Sequence, residues 1–172
     1  MTHRWNIRPQ TKEEIHLRDA LAATLGLNPI ISLLLVQRGI TTADQALHYF
    51  NPDLRDLHDP FLMPDMLKAV KRLNKALGNK ERIMIYGDYD VDGTTAVALV
   101  YKFLRAYSSS IEYYIPDRYD EGYGISFKSI DYAVSRGITL VISLDCGIKA
   151  IDKVAYANER GVDFIICDHH MP

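Results

Sequence analysis

Cysteine is scarce: the 172 residues contain only Cys146 and Cys167. Two thiols cannot build a disulfide framework, and neither stands in the CxxC spacing of a zinc site. Each closes an apolar run, so both are expected to be buried reduced thiols in a cytoplasmic protein. Long apolar runs are also missing. The longest, Pro29 to Val36, is far short of the roughly 20 residues that span a bilayer. The N-terminal stretch MTHRWNIRPQTKEE carries charges where a signal peptide would place its apolar segment. No membrane or secretion route is indicated. With only 10 Gly and 7 Pro the chain is neither collagen-like nor low in complexity.

No charge sign dominates overall: 20 Lys and Arg face 22 Asp and Glu. The halves differ, however. Residues 1–80 hold 11 basic and 8 acidic side chains, and residues 81–172 hold 9 and 14. Five of those 14 acids (Asp88, Asp90, Asp92, Asp145 and Asp168) fall in three short motifs, so the acidity is local and suits cations better than polyanions.

Residues 1–80 read as a small helical segment. One helix ends at Gly26, Asn28-Pro29 opens a second through Val36, and Thr42 caps a third with Ala46, Leu47 and Phe50 on one face. Met66 to Leu77 shows the helical period through Leu67, Val70, Leu73 and Leu77. After residue 80 the rhythm changes. Short apolar runs at Ile83–Tyr86, Ile111–Ile115, Leu140–Leu144 and Phe164–Cys167 alternate with helix-length segments at Thr94–Tyr107, Ser126–Arg136 and Lys149–Arg160. That alternation predicts an α/β domain over 81–172, a parallel sheet flanked by helices.

Every one of these strands ends in polar residues. Ile83–Tyr86 runs into GDYDVDG, Ile115 into PDRYDEGYG, Leu144 into Asp145-Cys146-Gly147, and Cys167 into Asp168-His169-His170. Parallel strands put all these ends on one edge, where open α/β sheets bind ligands. Five carboxylates and two imidazoles crowded together ionise jointly only around cations. Asp oxygens with a His nitrogen suit Mn²⁺ or Mg²⁺. The Asp90-Val91-Asp92 pair can reach two ions and Asp145 can bridge them, the clamp used for in-line attack at phosphorus. A helix starting at Gly93-Thr94-Thr95, with Val97, Val100, Phe103 and Leu104 on its apolar face, would turn free N–H groups toward a phosphate.

Other readings of the same residues are weaker. DxDxDG also opens an EF-hand, but position 12 is Leu99 rather than Glu, and a strand precedes the loop. No GxGxxG or P-loop Gly-Lys-Ser/Thr follows any strand. Asp145 alone could cap the next helix. Asp117, Asp120 and Glu121 read better as a solvated loop than as site residues.

GDYDVDG at 87–93, LDCGI at 144–148 and DHHMP at 168–172 resemble the first three motifs of the DHH phosphoesterase superfamily. The YGDYDVDGTTA context, IPDRYDEGYGIS at 115–126 and RGITTADQALHYFNP in the helical segment are most similar to its RecJ-type branch. The resemblance implies a DHH-type Rossmann-like domain, incomplete at its C-terminal side, behind a helical N-terminal segment. It implies two Mn²⁺ or Mg²⁺ ions on Asp90, Asp92, Asp145 and His169, with Asp88 and Asp168 in or beside that shell. It places His170 on the substrate phosphate; apart from the resemblance, Arg118 is a candidate contact to a DNA phosphate or 5′ end, and Thr94, at the helix start, a candidate for substrate binding. The resemblance further implies a 5′-to-3′ exonuclease of single-stranded DNA, working in repair and recombination with replication or repair proteins as partners. Two alternatives stay open: a small-molecule dinucleotide or nucleotide phosphoesterase, and a non-catalytic binding module. Family members continue into a further ligand Asp and a DHHA1 domain, so these 172 residues alone are expected to show little nuclease activity.

Overall fold

The computed structural model describes residues 8–172. The charged stretch that argues against a signal peptide begins in residues 1–7, outside those described. The chain divides into two compact units, 1–59 and 60–172. The division precedes the helix at 66–78, whereas the change of rhythm in the sequence suggests 80/81.

The first unit holds α1 (Lys12–Leu25), α2 (Pro29–Val36) and α3 (Ala43–Phe50). Their starts follow from capping chemistry. Thr11 accepts the Glu14 amide at 3.1 Å while Glu14 accepts the Thr11 amide at 2.8 Å, and Thr42 and Gln45 repeat the reciprocal pair. Asn28 caps α2 ahead of Pro29, whose missing N–H costs nothing at a first turn. Gly26 ends α1 in the left-handed conformation at φ 66°. Leu21, Leu35, Val36 and Ala46 form the core of this unit. The expected face of α3 is only partly inward: Ala46 is buried, but Leu47 and Phe50 are exposed.

The second unit is a doubly covered sheet. Its strands are β1 (Arg82–Gly87), β2 (Ile111–Tyr114), β3 (Ile138–Leu144) and β4 (Asp163–Cys167), all parallel, in the order β2-β1-β3-β4. Its helices are α4 (Met66–Gly78), α5 (Val91–Arg105), α6 (Phe127–Ser135) and α7 (Ile151–Asn158). The alternation of side chains along each strand divides the core. Ile83, Ile85, Leu140, Ile142 and Leu144 pack with Ala76 of α4 and Val97 and Leu104 of α5. Met84, Tyr86 and Val141 pack with Ile130 and Ala133 of α6 and Ala157 of α7. Full burial of each large aliphatic here stabilises by about 1.5–3 kcal/mol. Phe103, expected on the inner face of α5, is 59% exposed; Val100, expected there too, packs against the core, and Tyr101 joins it.

β4 is an edge strand with partly covered residues, and this leaves Cys167 exposed, against the expectation of two buried thiols. Cys146 is buried as expected. At the amino edge of the sheet Arg72 ties three elements together. It bonds Glu81 at 2.8 Å and Asp163 at 2.6 Å, with a longer contact to the Thr139 carbonyl, while Thr139 also donates to Glu81.

Candidate metal centre

In the order β2-β1-β3-β4 the chain steps from β1 to one neighbour and later returns to the other. The crevice at the carboxyl ends of β1 and β3 is therefore the topological switch point, where such sheets bind ligands. Asp88 follows β1 there and Asp145 follows β3.

The two glycines of GDYDVDG set the local geometry. A Cβ on Gly93 would lie 2.5 Å from the Asp88 carbonyl oxygen and 2.6 Å from its nitrogen, and one on Gly87 would lie 2.8 Å from the Gly93 carbonyl. Only glycine lets the first turn of α5 press directly on the end of β1. That pressure buries Asp88 completely, and neither carboxylate oxygen has a well-aligned hydrogen bond. Burial raises the Asp88 pKa, and the charges of Asp90 and Asp145 add to the effect. The amides of Tyr89 and Gly124 lean toward the group and oppose it only in part.

Asp90 caps α5, its Oδ1 accepting the Gly93 amide at 2.9 Å. The helix thus begins at Val91, three residues before the expected Thr94, and the Gly93 amide is not free for a phosphate. The Thr94 hydroxyl is also turned inward, donating to the Asp90 carbonyl at 2.6 Å. Asp92 is exposed in the first turn of α5 and makes no hydrogen bond or ion pair among the described residues.

Asp145 adopts φ 61°, a left-handed conformation that Asp tolerates better than most residues, while its amide still bonds the Cys167 carbonyl at 2.8 Å. It caps no helix. Its Oδ1 lies 3.0 Å from His169 Nε2. Asp145, His169 and His170 each offer one ligand atom, all within 4.8 Å of one another.

Asp168 serves a different purpose. Its side chain is 2% exposed; Oδ2 accepts the Ile148 amide at 2.9 Å, and Oδ1 accepts the His170 amide and meets His170 Nδ1 at 2.7 Å. Burial alone would raise its pKa, but the Ile148 and His170 amides and the His170 ring outweigh burial and hold it low. Asp168 in turn raises the His170 pKa, with Asp145 and Asp90 contributing. The other ring nitrogen, Nε2, lies 3.4 Å from the Tyr123 hydroxyl. Burial and the surrounding acids, Asp88 and Asp145 among them, push Tyr123 and the adjacent Cys146 each up to about 12.

Arg118 lies 5.3 Å from the centroid of the Tyr89 ring; Tyr89 meets Tyr123 edge-on at 6.3 Å, and Tyr123 meets His170 edge-on at 6.1 Å. Tyr89 was not singled out in the sequence, although it sits inside the first motif. Tyr119 is 96% exposed and takes no part in this line of rings. Glu121 is not a solvated loop residue: it accepts the Tyr114 hydroxyl at 2.9 Å and the Asp117 amide at 3.0 Å, and also bonds Ser126. Tyr86 donates to the Gly124 carbonyl at 2.6 Å, which fastens the same loop from below. Asp117 accepts the amides of Tyr119 and Asp120, and Asp120 pairs with Lys128.

The donor set fits a divalent cation. A buried carboxylate with two unpartnered oxygens must lose its charge or meet a positive one. Carboxylate oxygens with imidazole nitrogens, and no thiolate among them, suit a divalent cation such as Mn²⁺.

The chain is 38% identical over 169 residues to the single-stranded-DNA-specific exonuclease RecJ of Bacillus subtilis, covering 98% of this chain and 21% of that protein. It is 32% identical over 167 residues to the Escherichia coli RecJ, covering 94% of this chain and 28% of that one. The chain thus spans between a fifth and a third of the length of these relatives. Among solved structures, Thermus thermophilus RecJ in complex with Mn²⁺ superposes with a TM-score of 0.68 at 25% identity, over 91% of this chain and 21% of that one. Another manganese-bound RecJ gives 0.57 at 34% identity, over 61% of this chain and 27% of that one. The pattern of the DHH family N-terminal domain matches residues 82–172, more than half of the sequence, and the chain belongs to the DHH family.

Proposed function

We propose that this chain carries the ion-holding edge of a phosphodiesterase that removes nucleotides from the 5′ end of single-stranded DNA. The observation that carries the reading is Asp88, fully buried with both oxygens unpartnered, beside the Asp145–His169–His170 group. The exonuclease relatives and the Mn²⁺-bound structures support the choice of substrate and ion.

Two Mn²⁺ or Mg²⁺ ions would be held by Asp90, Asp92, Asp145 and His169, with Asp88 beneath them. When bound, such ions polarise a phosphoryl group and lower the pKa of water. The chain's own residues do the positioning. Asp168 fixes the His170 ring so that Nε2 faces the crevice, where it can donate to a phosphate oxygen. Arg118 and the Tyr89–Tyr123 rings offer a cation and flat surfaces to an unpaired strand. DNA repair and recombination in the cytoplasm would be the setting. No helix among the described residues is long and apolar enough to cross a membrane.

The test compares cleavage of a 5′-phosphorylated single strand, its duplex and a dinucleotide in Mn²⁺ by a protein of the relatives' full length that contains this chain. Preference for the single strand, abolished by Asp145→Asn, is expected. Turnover of the dinucleotide alone would favour a small-molecule phosphoesterase.

A further inference from the structure

Beside the centre lies a cleft of about 350 Å³, bordered by residues 123–125 on one side and by residues 147–150 with Lys153 on the other, and reaching Asp168 and His170. The carboxyl edge of the sheet is otherwise crowded with acids, but this cleft is flanked by two ammonium groups. Lys149 has no hydrogen bond or ion pair among the described residues. Lys153 has only the neighbouring Asp152, at 3.3 Å with 63% of that side chain exposed, a pair that water and salt readily loosen. Its ammonium is also 5.3 Å from the centroid of the Phe127 ring, so a half-buried stem holds it in place.

The floor of the cleft is set by Gly147. At φ 115°, a Cβ there would meet Ile125 Cδ1 at 2.8 Å and Ser143 Oγ at 3.1 Å, so the loop closes on Ile125 only without a side chain. The opposite wall is the Tyr123 ring and the edge of His170. A cavity of this volume accepts a group of nucleotide size.

We propose that this cleft is a nucleotide subsite in which Lys149 and Lys153 bind the phosphate one step along the strand from the reacting one. The inference rests on the phosphodiesterase reading above and deepens it. The reacting phosphate belongs at Asp145, His169 and His170. Lys149 and Lys153 follow Ile148, whose amide already holds Asp168, and line the cleft beside the centre, where the next anionic group along the strand would sit. The sugar and base between the two phosphates would lie against Tyr123. The lysines thus act by binding, and they favour a strand with successive phosphates over a substrate with a single one.

The experiment measures binding of a 3′-fluorescein, 5′-phosphorylated oligothymidylate to the 172-residue chain by anisotropy, across a salt series, in Mn²⁺. Each phosphate neutralised on a single strand contributes about 0.7 to the slope of log K against log salt. In Lys149→Gln/Lys153→Gln the slope should fall by about 0.7 and the affinity at low salt by roughly tenfold. Lys149→Arg/Lys153→Arg should restore both. The Mn²⁺-induced rise in melting temperature should match wild type in both variants, showing that fold and centre are intact. Wild-type slope and affinity in the Gln variant would overturn the subsite and leave the phosphodiesterase reading standing. Failure of the wild-type chain to bind the strand would overturn both.

Discussion

Nδ1 of His170 lies 2.7 Å from Oδ1 of Asp168, and that same oxygen accepts the His170 amide. One buried carboxylate therefore fixes both the backbone and the ring of the residue that follows it by two. In the metal-free chain His170 should titrate above an ordinary imidazole, because Asp168, then Asp145 and Asp90, favour its charged form. The pairing contributes stability that is complete below the ordinary imidazole pKa and lost as pH rises through the raised value. Asp168→Asn should return the titration toward the ordinary range, read by NMR of the imidazole carbons. An unmoved midpoint would show that Asp168 does not hold the ring.

Asp88 works in the opposite direction. Its raised pKa means that the folded chain resists ionising it, so in EDTA the stability cost appears as pH rises above the ordinary carboxylate range and grows until Asp88 is charged in the native state. Asp88→Asn should raise the metal-free melting temperature near neutral pH by a few degrees, corresponding to about 1–2 kcal/mol. The gain should vanish in acid, where the wild-type carboxyl is protonated, and the Mn²⁺ response should shrink. Thermal melts at several pH values check all three.

The strand ends were legible because each apolar run stops at an acid, a glycine or a proline, and parallel pairing then fixes where those ends go. The start of α5 was less so. Asp90 serves as a cap, and a cap and a metal ligand are the same residue type in sequence. Tyr89 and Glu121 gain their roles from contacts across loops, with Tyr123 and with Ser126 and Tyr114, which no local pattern encodes. The order β2-β1-β3-β4 depends on which side each crossover takes, and this creates the switch point between Asp88 and Asp145.

The two contributions of Asp90 can be separated. Asp90→Asn keeps a side-chain acceptor for the Gly93 amide and removes only the charge, so it should change metal-free stability little while weakening the Mn²⁺ response. Asp90→Ala loses the cap as well and should cost about 1 kcal/mol in EDTA. Equal melting temperatures for the two variants would deny the cap a role.

Gly93→Ala should be costly for a backbone reason. The added methyl meets the main chain of Asp88, which cannot swing aside like a side chain. A loss of about 1–3 kcal/mol in denaturant unfolding is expected, with a diminished Mn²⁺ shift because Asp88 is displaced.

At the far edge of the sheet, Arg72→Met should destabilise by about 1–3 kcal/mol, since it strips the ion pair from the half-buried Glu81. It should leave the Mn²⁺-induced melting shift unchanged. A variant that lost the shift would show that the two edges are coupled.

The carboxyl edge between β1 and β3 should hold divalent cations. Anomalous diffraction at the manganese edge from crystals soaked in Mn²⁺ tests it directly. A peak is expected about 2.0–2.6 Å from the Asp145 carboxylate and the His169 ring nitrogen, absent in Asp145→Asn. Peaks only elsewhere on the surface, or one at this edge that survives Asp145→Asn, would contradict it.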